Sequence, residues 1–138
     1  MTETIIDATN SIVGRLGTVI AKRALLGETI RIVNAEKAIV SGNKNYLVEE
    51  FHHRIKKGVP SKGPFFPRRE DMMLRRMLRG MLPRKQERGI AAFKRIKCYI
   101  GVPPEFQGKP LEKIKEADGS RLVLAKHLTL QQISSRLR

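Results

Sequence analysis

The sequence predicts an α/β domain, and three observations carry that expectation. Residues 4–33 read as strand, helix and strand in turn. The chain has 138 residues, of which 41% are hydrophobic, enough for the core of one compact domain. Aromatics make up only 5% and there is no Trp, so that core must rest on Ile, Leu, Val, Ala and Met.

Thr4–Ala8 (TIIDA) is the first strand candidate. Asn10 or Ser11 is placed to cap the helix that follows, because a short side-chain oxygen accepts from free backbone N–H groups there. Ile12, Val13, Leu16, Val19, Ile20 and Ala24 then share one helical face, and Gly27 stands where a left-handed residue would end the helix. Thr29–Val33 (TIRIV) is the second strand, which makes the unit a right-handed parallel crossover. Gly14 and Gly17 lie within the helix and allow another surface to approach closely.

Ser41-Gly42-Asn43 marks a turn, and Lys44–Lys57 reads as a helix with the stripe Leu47, Val48, Phe51 and Ile55, ended by Gly58. Val59–Pro67 (VPSKGPFFP) carries three prolines and a glycine and is an extended loop. Pro67 can start a helix over Arg68–Leu82, with Glu70 and Asp71 in the first turn, where the helix dipole favours negative charge. Leu74, Met77, Leu78 and Met81 form its apolar stripe; Arg68, Arg75, Arg76 and Arg79 project opposite, with Met72 interrupting them. Pro83 ends this helix, and Arg84–Arg95 begins another on which Arg84, Arg88 and Arg95 align. Ile96–Ile100 alternates as a strand, Leu111–Ala117 reads as a short helix, and Arg121–Ala125 (RLVLA) as a fourth strand. Thr129 is placed to cap a last helix with Leu130, Ile133 and Leu137 inward. The layout is one domain: a scaffold at about residues 1–57, a basic loop and helices at about 58–97, and a C-terminal part at about 102–138.

Charge is concentrated. The chain holds 28 Lys and Arg against 13 Asp and Glu, a net +15; residues 54–99 alone hold fifteen basic and three acidic residues. Such self-repulsion destabilises a lone fold and is relieved by a polyanion. Between Asp71 and Glu87 stand Arg75, Arg76, Arg79, Arg84 and Lys85 with no acid among them. A merely solvated helix face mixes signs. The candidate binding surface is therefore Arg54, Lys56 and Lys57 at the end of one helix, Lys62 in the loop, Arg68, Arg69, Arg75, Arg76 and Arg79 on the next, then Arg84, Lys85, Arg88, Lys94 and Arg95.

A membrane-surface helix would need the stripe of Leu74 to Met81 free to insert, and the core needs it instead. No apolar run reaches the length of a bilayer span, and the N-terminus lacks the basic and apolar regions of a signal peptide. Zinc-finger spacing, a basic zipper and the aromatic motif of the common RNA-binding sheet are all missing, so DNA and structured RNA both stay open. The Pro- and Gly-rich loop suits irregular RNA, and arginine's planar fork suits phosphate. Phe65 and Phe66 either stack on bases or anchor the loop.

Catalytic and cofactor signals are weak. Neither G-x-G-x-x-G nor G-x-x-x-x-G-K-[ST] occurs, so no dinucleotide or phosphate-loop cofactor is expected. His52 and His53 diverge on a helix and His127 is remote, so no metal is expected. Cys98, the one cysteine, reads as a small buried hydrophobe and fits a reducing cytosolic compartment. Asp7, at a strand end near Asn34, is the single place where a nucleotide-binding enzyme would put an acid, and no base stands beside it in sequence.

"GMLPRKQERGIAAFKRIKCYIG", Gly80 to Gly101, resembles the signature of the large-subunit ribosomal protein thirteen family. "IDATNSIVGRLGTVIAK" and "IRIVNAEKAIVSGN" resemble its other two shared blocks. "SKGPFFPRRED" and "GVPPEF" look like the archaeal and eukaryotic branch, and the bacterial-type His-Ser-Gly-Tyr segment is absent. The resemblance implies a three-layer α/β/α domain around a small four-stranded, mainly parallel sheet. It implies a cytoplasmic, non-enzymatic constituent of the ribosome, a monomer there, bound to large-subunit ribosomal RNA (rRNA) and neighbouring ribosomal proteins and active in subunit assembly. Carried over by position, it places Arg68, Arg69, Arg79, Arg84, Lys85 and Arg88 toward RNA, residues that charge had already selected. The tail after about Phe106 varies in the family.

Overall fold

The computed structural model describes residues 3–121 and 126–137. It shows a mixed α/β fold. β1 (Glu3–Asp7), α1 (Val13–Leu25) and β2 (Thr29–Val33) form the crossover unit, with β1 and β2 parallel in the register Glu3 to Thr29 through Asp7 to Val33. β3 (Ile39–Ser41) and α2 (Lys44–Lys56) follow. After the proline-rich loop come α3 (Glu70–Gly80), α4 (Glu87–Lys94) and β4 (Ile96–Cys98). β5 (His127–Thr129) leads into α5 (Leu130–Leu137).

The sheet differs from the four-stranded expectation. It is a three-stranded parallel sheet in the order β1-β2-β4, and β3 pairs antiparallel with β5 in a separate two-stranded piece. The divergence starts at Asn34, which takes a left-handed conformation (φ 56°) and turns the chain off the sheet through a one-turn 3-10 helix at Ala35–Lys37. Leu111–Ala117 is not a helix. Glu112 instead adds one rung to the outer edge of β1: its N–H donates to the Ile5 carbonyl and its carbonyl accepts from Asp7 N–H, both at 2.9 Å. Only Lys115–Ala117 turns helically. The strand expected at Arg121–Ala125 falls on residues 122–125, outside the described residues.

Alternation along the strands sorts the two faces of the sheet. Ile6, Ile30, Ile32 and Ile96 are fully buried on one face, in a single cluster with Leu16 and Ile20 of α1, Leu47 and Phe51 of α2, Leu74 and Leu78 of α3, Ala92 of α4 and Ile133 of α5. Each fully buried side chain of this kind stabilises the fold by roughly 1.5–3 kcal/mol. The opposite face carries only Ile5 and Val33 under Phe106, with Tyr99 and Val102 beside them. Arg31 and Glu3 form an ion pair at 3.3 Å. Among the described residues this second face is covered by the segment Tyr99–Phe106 and not by a layer of helices, because two apolar side chains cannot seat one.

The helix ends correct one further expectation and bear out another. Neither Asn10 nor Ser11 caps α1; Ile12 stands at that position without a side-chain cap. Asn10 is left-handed (φ 56°), and its carbonyl accepts from Gly119 N–H at 2.7 Å, while the Ser11 carbonyl accepts from Ile39 N–H at 2.8 Å. The turn is spent on tying β1 to β3 and to the Asp118 segment. At the other end of the chain the expected cap is present: Thr129 Oγ1 accepts from Gln132 N–H (3.2 Å) and Gln132 Oε1 accepts from Thr129 N–H (3.0 Å), a reciprocal capping box. Gly17 does admit a close neighbour, since a Cβ there would run into the sulfur of Met81, the residue after α3, whereas Gly14 faces open space. No helix among the described residues is long and apolar enough to cross a membrane.

Candidate nucleic-acid interface

α3 is the centre of the basic surface. It begins two residues later than the proline suggests, with Arg69 as its N-terminal flanking residue. Asp71 Oδ2 takes Arg69 at 3.3 Å, and Asp71 Oδ1 accepts from Met72 N–H at 2.8 Å, so the first turn uses its negative charge as the dipole requires. Ser134 of α5 donates to the Arg68 carbonyl at 2.6 Å and fixes the entry of the helix. Met73, Leu74 and Leu78 are fully buried, Met77 is half-buried and Met81, just past the helix end, is 39% exposed. The buried arc is thus turned toward Met73 relative to the expected stripe, because α3 packs between β4, α5 and α1.

The loop before α3 is closed on itself. Lys62 and Gly63 N–H groups both donate to the Val59 carbonyl (3.2 and 2.9 Å). Gly58 has φ +75° and lies against the Gly63 carbonyl, where no Cβ fits. The two phenylalanines part company. Phe66 packs on Phe51 with centroids 5.8 Å apart, and the Arg54 guanidinium lies over both rings at 5.2 and 5.9 Å. Phe65 is 67% exposed. Phe66 therefore anchors the loop and Phe65 does not.

The fourteen basic residues selected from sequence fall into three groups. Arg54 pairs with Glu50 at 2.8 Å and Arg69 with Asp71. A second group grips backbone carbonyls. Arg75 lies 3.9 Å over the Phe93 ring and donates to Ile96 O (3.2 Å) and Phe93 O (3.3 Å). Arg76 donates to Phe65 O (3.4 Å), and Arg95 donates to Ala24 O (2.8 Å) at the C-terminal end of α1. Arg75 and Arg95 are thus partly structural, a role that charge counting cannot see.

The third group is uncommitted. No ion pair joins Arg79, Arg84, Lys85 or Arg88 to a carboxylate among the described residues; Arg88 donates only to Gln86 Oε1 at 2.9 Å. Partial burial, with Arg76 and Arg84 nearby, pushes the Arg79 guanidinium below the ordinary arginine value. Arg79 is a cation held among cations. The Leu82–Gln86 turn presents Arg84 and Lys85, and α4 is pressed against it at Gly89, where the Pro83 carbonyl leaves no room for a side chain. Lys56, Lys57, Lys62, Arg68 and Lys94 are exposed on the same stretch of chain.

The one candidate for acid chemistry is occupied. Asp7 Oδ1 accepts from Thr9 N–H (3.0 Å), Thr9 Oγ1 (2.7 Å) and Asn34 Nδ2 (3.0 Å). Partial burial pushes this carboxyl up, but those hydrogen bonds and nearby Lys113 outweigh it and hold it below the ordinary value. It locks the ends of β1 and β2 together. Burial pushes the Cys98 thiol up to about 12, and its side chain packs against the main core. No group of three or more potential metal-ligating side chains occurs among the described residues. Met72, which broke the basic pattern in sequence, is 43% exposed beside Phe65 and Arg79. The interruption was the signal of an apolar spot inside the basic surface.

The site is thus a cationic patch on an α/β scaffold, with Arg75, Arg76 and Arg79 lining one carboxylate-free groove and Arg84 close to Arg79. The family profile of ribosomal protein L13 matches residues 1–105. A large ribosomal subunit protein uL13 of Methanopyrus kandleri is 48% identical over 97% of this chain and 86% of its own length. Proteins of the same name from Archaeoglobus fulgidus (43%, covering 95% and 85%) and Methanococcus maripaludis (50%, covering 72% and 75%) are also similar. The chain belongs to the ribosomal protein L13 family, in agreement with its resemblance to the archaeal branch. This is a family of ribosomal proteins and not of enzymes.

Proposed function

We propose that the chain is a structural constituent of the large ribosomal subunit in the cytoplasm, a single domain bound as a monomer to rRNA through the surface from Arg54 to Arg95. It supports subunit assembly by neutralising phosphates where RNA segments crowd, which lowers their repulsion and favours one packed arrangement. Neighbouring ribosomal proteins meet the remaining surface. The observation that carries this reading is the group Arg79, Arg84, Lys85 and Arg88, on α3, the turn after it and α4, left without carboxylate partners among the described residues. Each guanidinium has a planar fork that can donate two bonds to one phosphate.

The test is charge reversal at Arg79, Arg84 and Arg88 together. Arg75 is left in place because it also holds β4. Binding to large-subunit rRNA should fall sharply, and the slope of log affinity against log salt should shrink by about two units for three lost phosphate contacts. The circular dichroism spectrum should be unchanged. Undiminished binding by the triple variant would show that the grip lies elsewhere.

A further inference from the structure

We propose that the groove between Phe65, Met72 and Arg79 captures one unstacked nucleobase of the folded rRNA, with a flanking phosphate held by Arg79 and Arg76. This inference rests on the RNA-binding reading above and sharpens it to a single subsite. The groove is about 370 Å³, and its cationic lining is Arg75, Arg76 and Arg79 with no carboxylate. That volume stands at the small end of ligand pockets, room for a base and not for a helix about 10 Å or more across.

Three of its apolar residues are already used. Phe66 packs on Phe51, Phe93 carries the Arg75 guanidinium, and Pro67 shapes the loop. Phe65 and Met72 are not used: they are 67% and 43% exposed. What sets Phe65 and Met72 apart from other exposed apolar side chains is that they share one groove with three arginines. The combination fits a ligand that is flat and apolar in one part and anionic a few ångströms away. A nucleotide whose base has left the stack is such a ligand, and RNA loops and bulges supply it. An aromatic ring accepts any base face, and a polarizable thioether adapts to the ring edge. The rival occupant, an acidic segment of a neighbouring protein, would satisfy the guanidinium groups but leave Phe65 and Met72 uncovered.

The charge balance supports the phosphate half. Arg76 spends one N–H on the Phe65 carbonyl, which holds the loop at the groove, and keeps four others for a ligand. Arg79 has no protein acceptor among the described residues.

The experiment compares wild type, Phe65→Ala, Phe65→Trp and Arg79→Gln in binding to transcribed large-subunit rRNA over a salt series, with chemical probing of every nucleotide. Loss of one base stack should weaken binding about 5- to 150-fold in Phe65→Ala without changing the salt slope or the melting temperature. Phe65→Trp should bind like wild type. Arg79→Gln should lower the slope by about 0.7 to 0.9, the mark of one phosphate contact. In the Phe65→Ala complex one nucleotide should become newly reactive while other protections persist. The proposal is overturned if Phe65→Ala binds within about threefold of wild type with an unchanged reactivity pattern. It is equally overturned if, in reconstituted particles, the variant loses contact with a ribosomal protein and with no nucleotide. Failure of the wild-type protein to bind rRNA at all would instead remove the RNA-binding reading, and this subsite with it.

Discussion

Arg23 and Arg31, in the scaffold, each meet a carboxylate, whereas Arg79, Arg84 and Arg88 in the central segment meet none among the described residues. Arg23 holds Glu112 with two hydrogen bonds at 2.6 and 2.9 Å, and Arg31 sits 3.3 Å from Glu3. The Arg23 pair lowers the Glu112 carboxyl and raises the guanidinium, as an internal pair should. At Arg79 the direction is reversed, because its neighbours are burial and like charge. One residue type thus serves two ends in one small protein. In the scaffold it closes the chain on itself; in the central segment Arg69 still meets Asp71, but Arg79, Arg84 and Arg88 are kept apart from acids among the described residues. Stability tolerates that separation because Met73, Leu74 and Leu78 of α3 and Ala92 of α4 are fully buried on the inward side.

The contrast can be tested within one helix. Leu78, fully buried on the inner side of α3, should show the largest effect: Leu78→Ala should cost about 2–5 kcal/mol in denaturant unfolding and leave the salt slope of RNA binding unchanged. A negligible loss would mean that α3 is not part of the core and that the comparison fails. Arg75→Ala should cost about 1–3 kcal/mol, since it strips two carbonyls and an aromatic face of their cation. Arg79→Ala should change stability by no more than about 0.5 kcal/mol either way. Equal losses from the two would erase the distinction between structural and uncommitted arginines.

A further effect, smaller than that of Leu78, lies in the scaffold. The folded Asp7 carboxyl titrates below its ordinary 3.8. Its charged form therefore stabilises the fold fully above that pH, and the contribution disappears as pH falls through the lower folded value. Asp7→Asn should lose about 1 kcal/mol near neutrality, and the gap from wild type should close in acid below pH 3.8. A gap that persisted in acid would assign the loss to packing and not to charge.

The parts of this fold that sequence revealed are those specified locally. The crossover unit shows in the stripes of α1 and the apolar run of β2, and Thr129 announces the helix it caps. β3 and β5 have three residues each and are far apart in the chain, so nothing near either one announces the other. Glu112 falls in a stretch that reads as a short helix; its place is set by the open edge of β1. The basic surface was legible as a whole, since fifteen cations against three acids cannot pair internally. The division of labour within it was not. A guanidinium bound to the Ile96 carbonyl and one bound to no protein acceptor are the same letter at similar helical phase, and only the position of β4 separates Arg75 from Arg79.

The pairing of β3 with β5 also fixes an order of events during synthesis. Ser41 is made long before its partner His127, and at ~5–20 residues per second the interval lasts several seconds. Through that time the inner faces of α2 and α3 wait for α5, while the cations between them have already emerged. A nascent chain in this state already carries most of its positive charge without a finished interior, so an early encounter with RNA would meet a half-built partner.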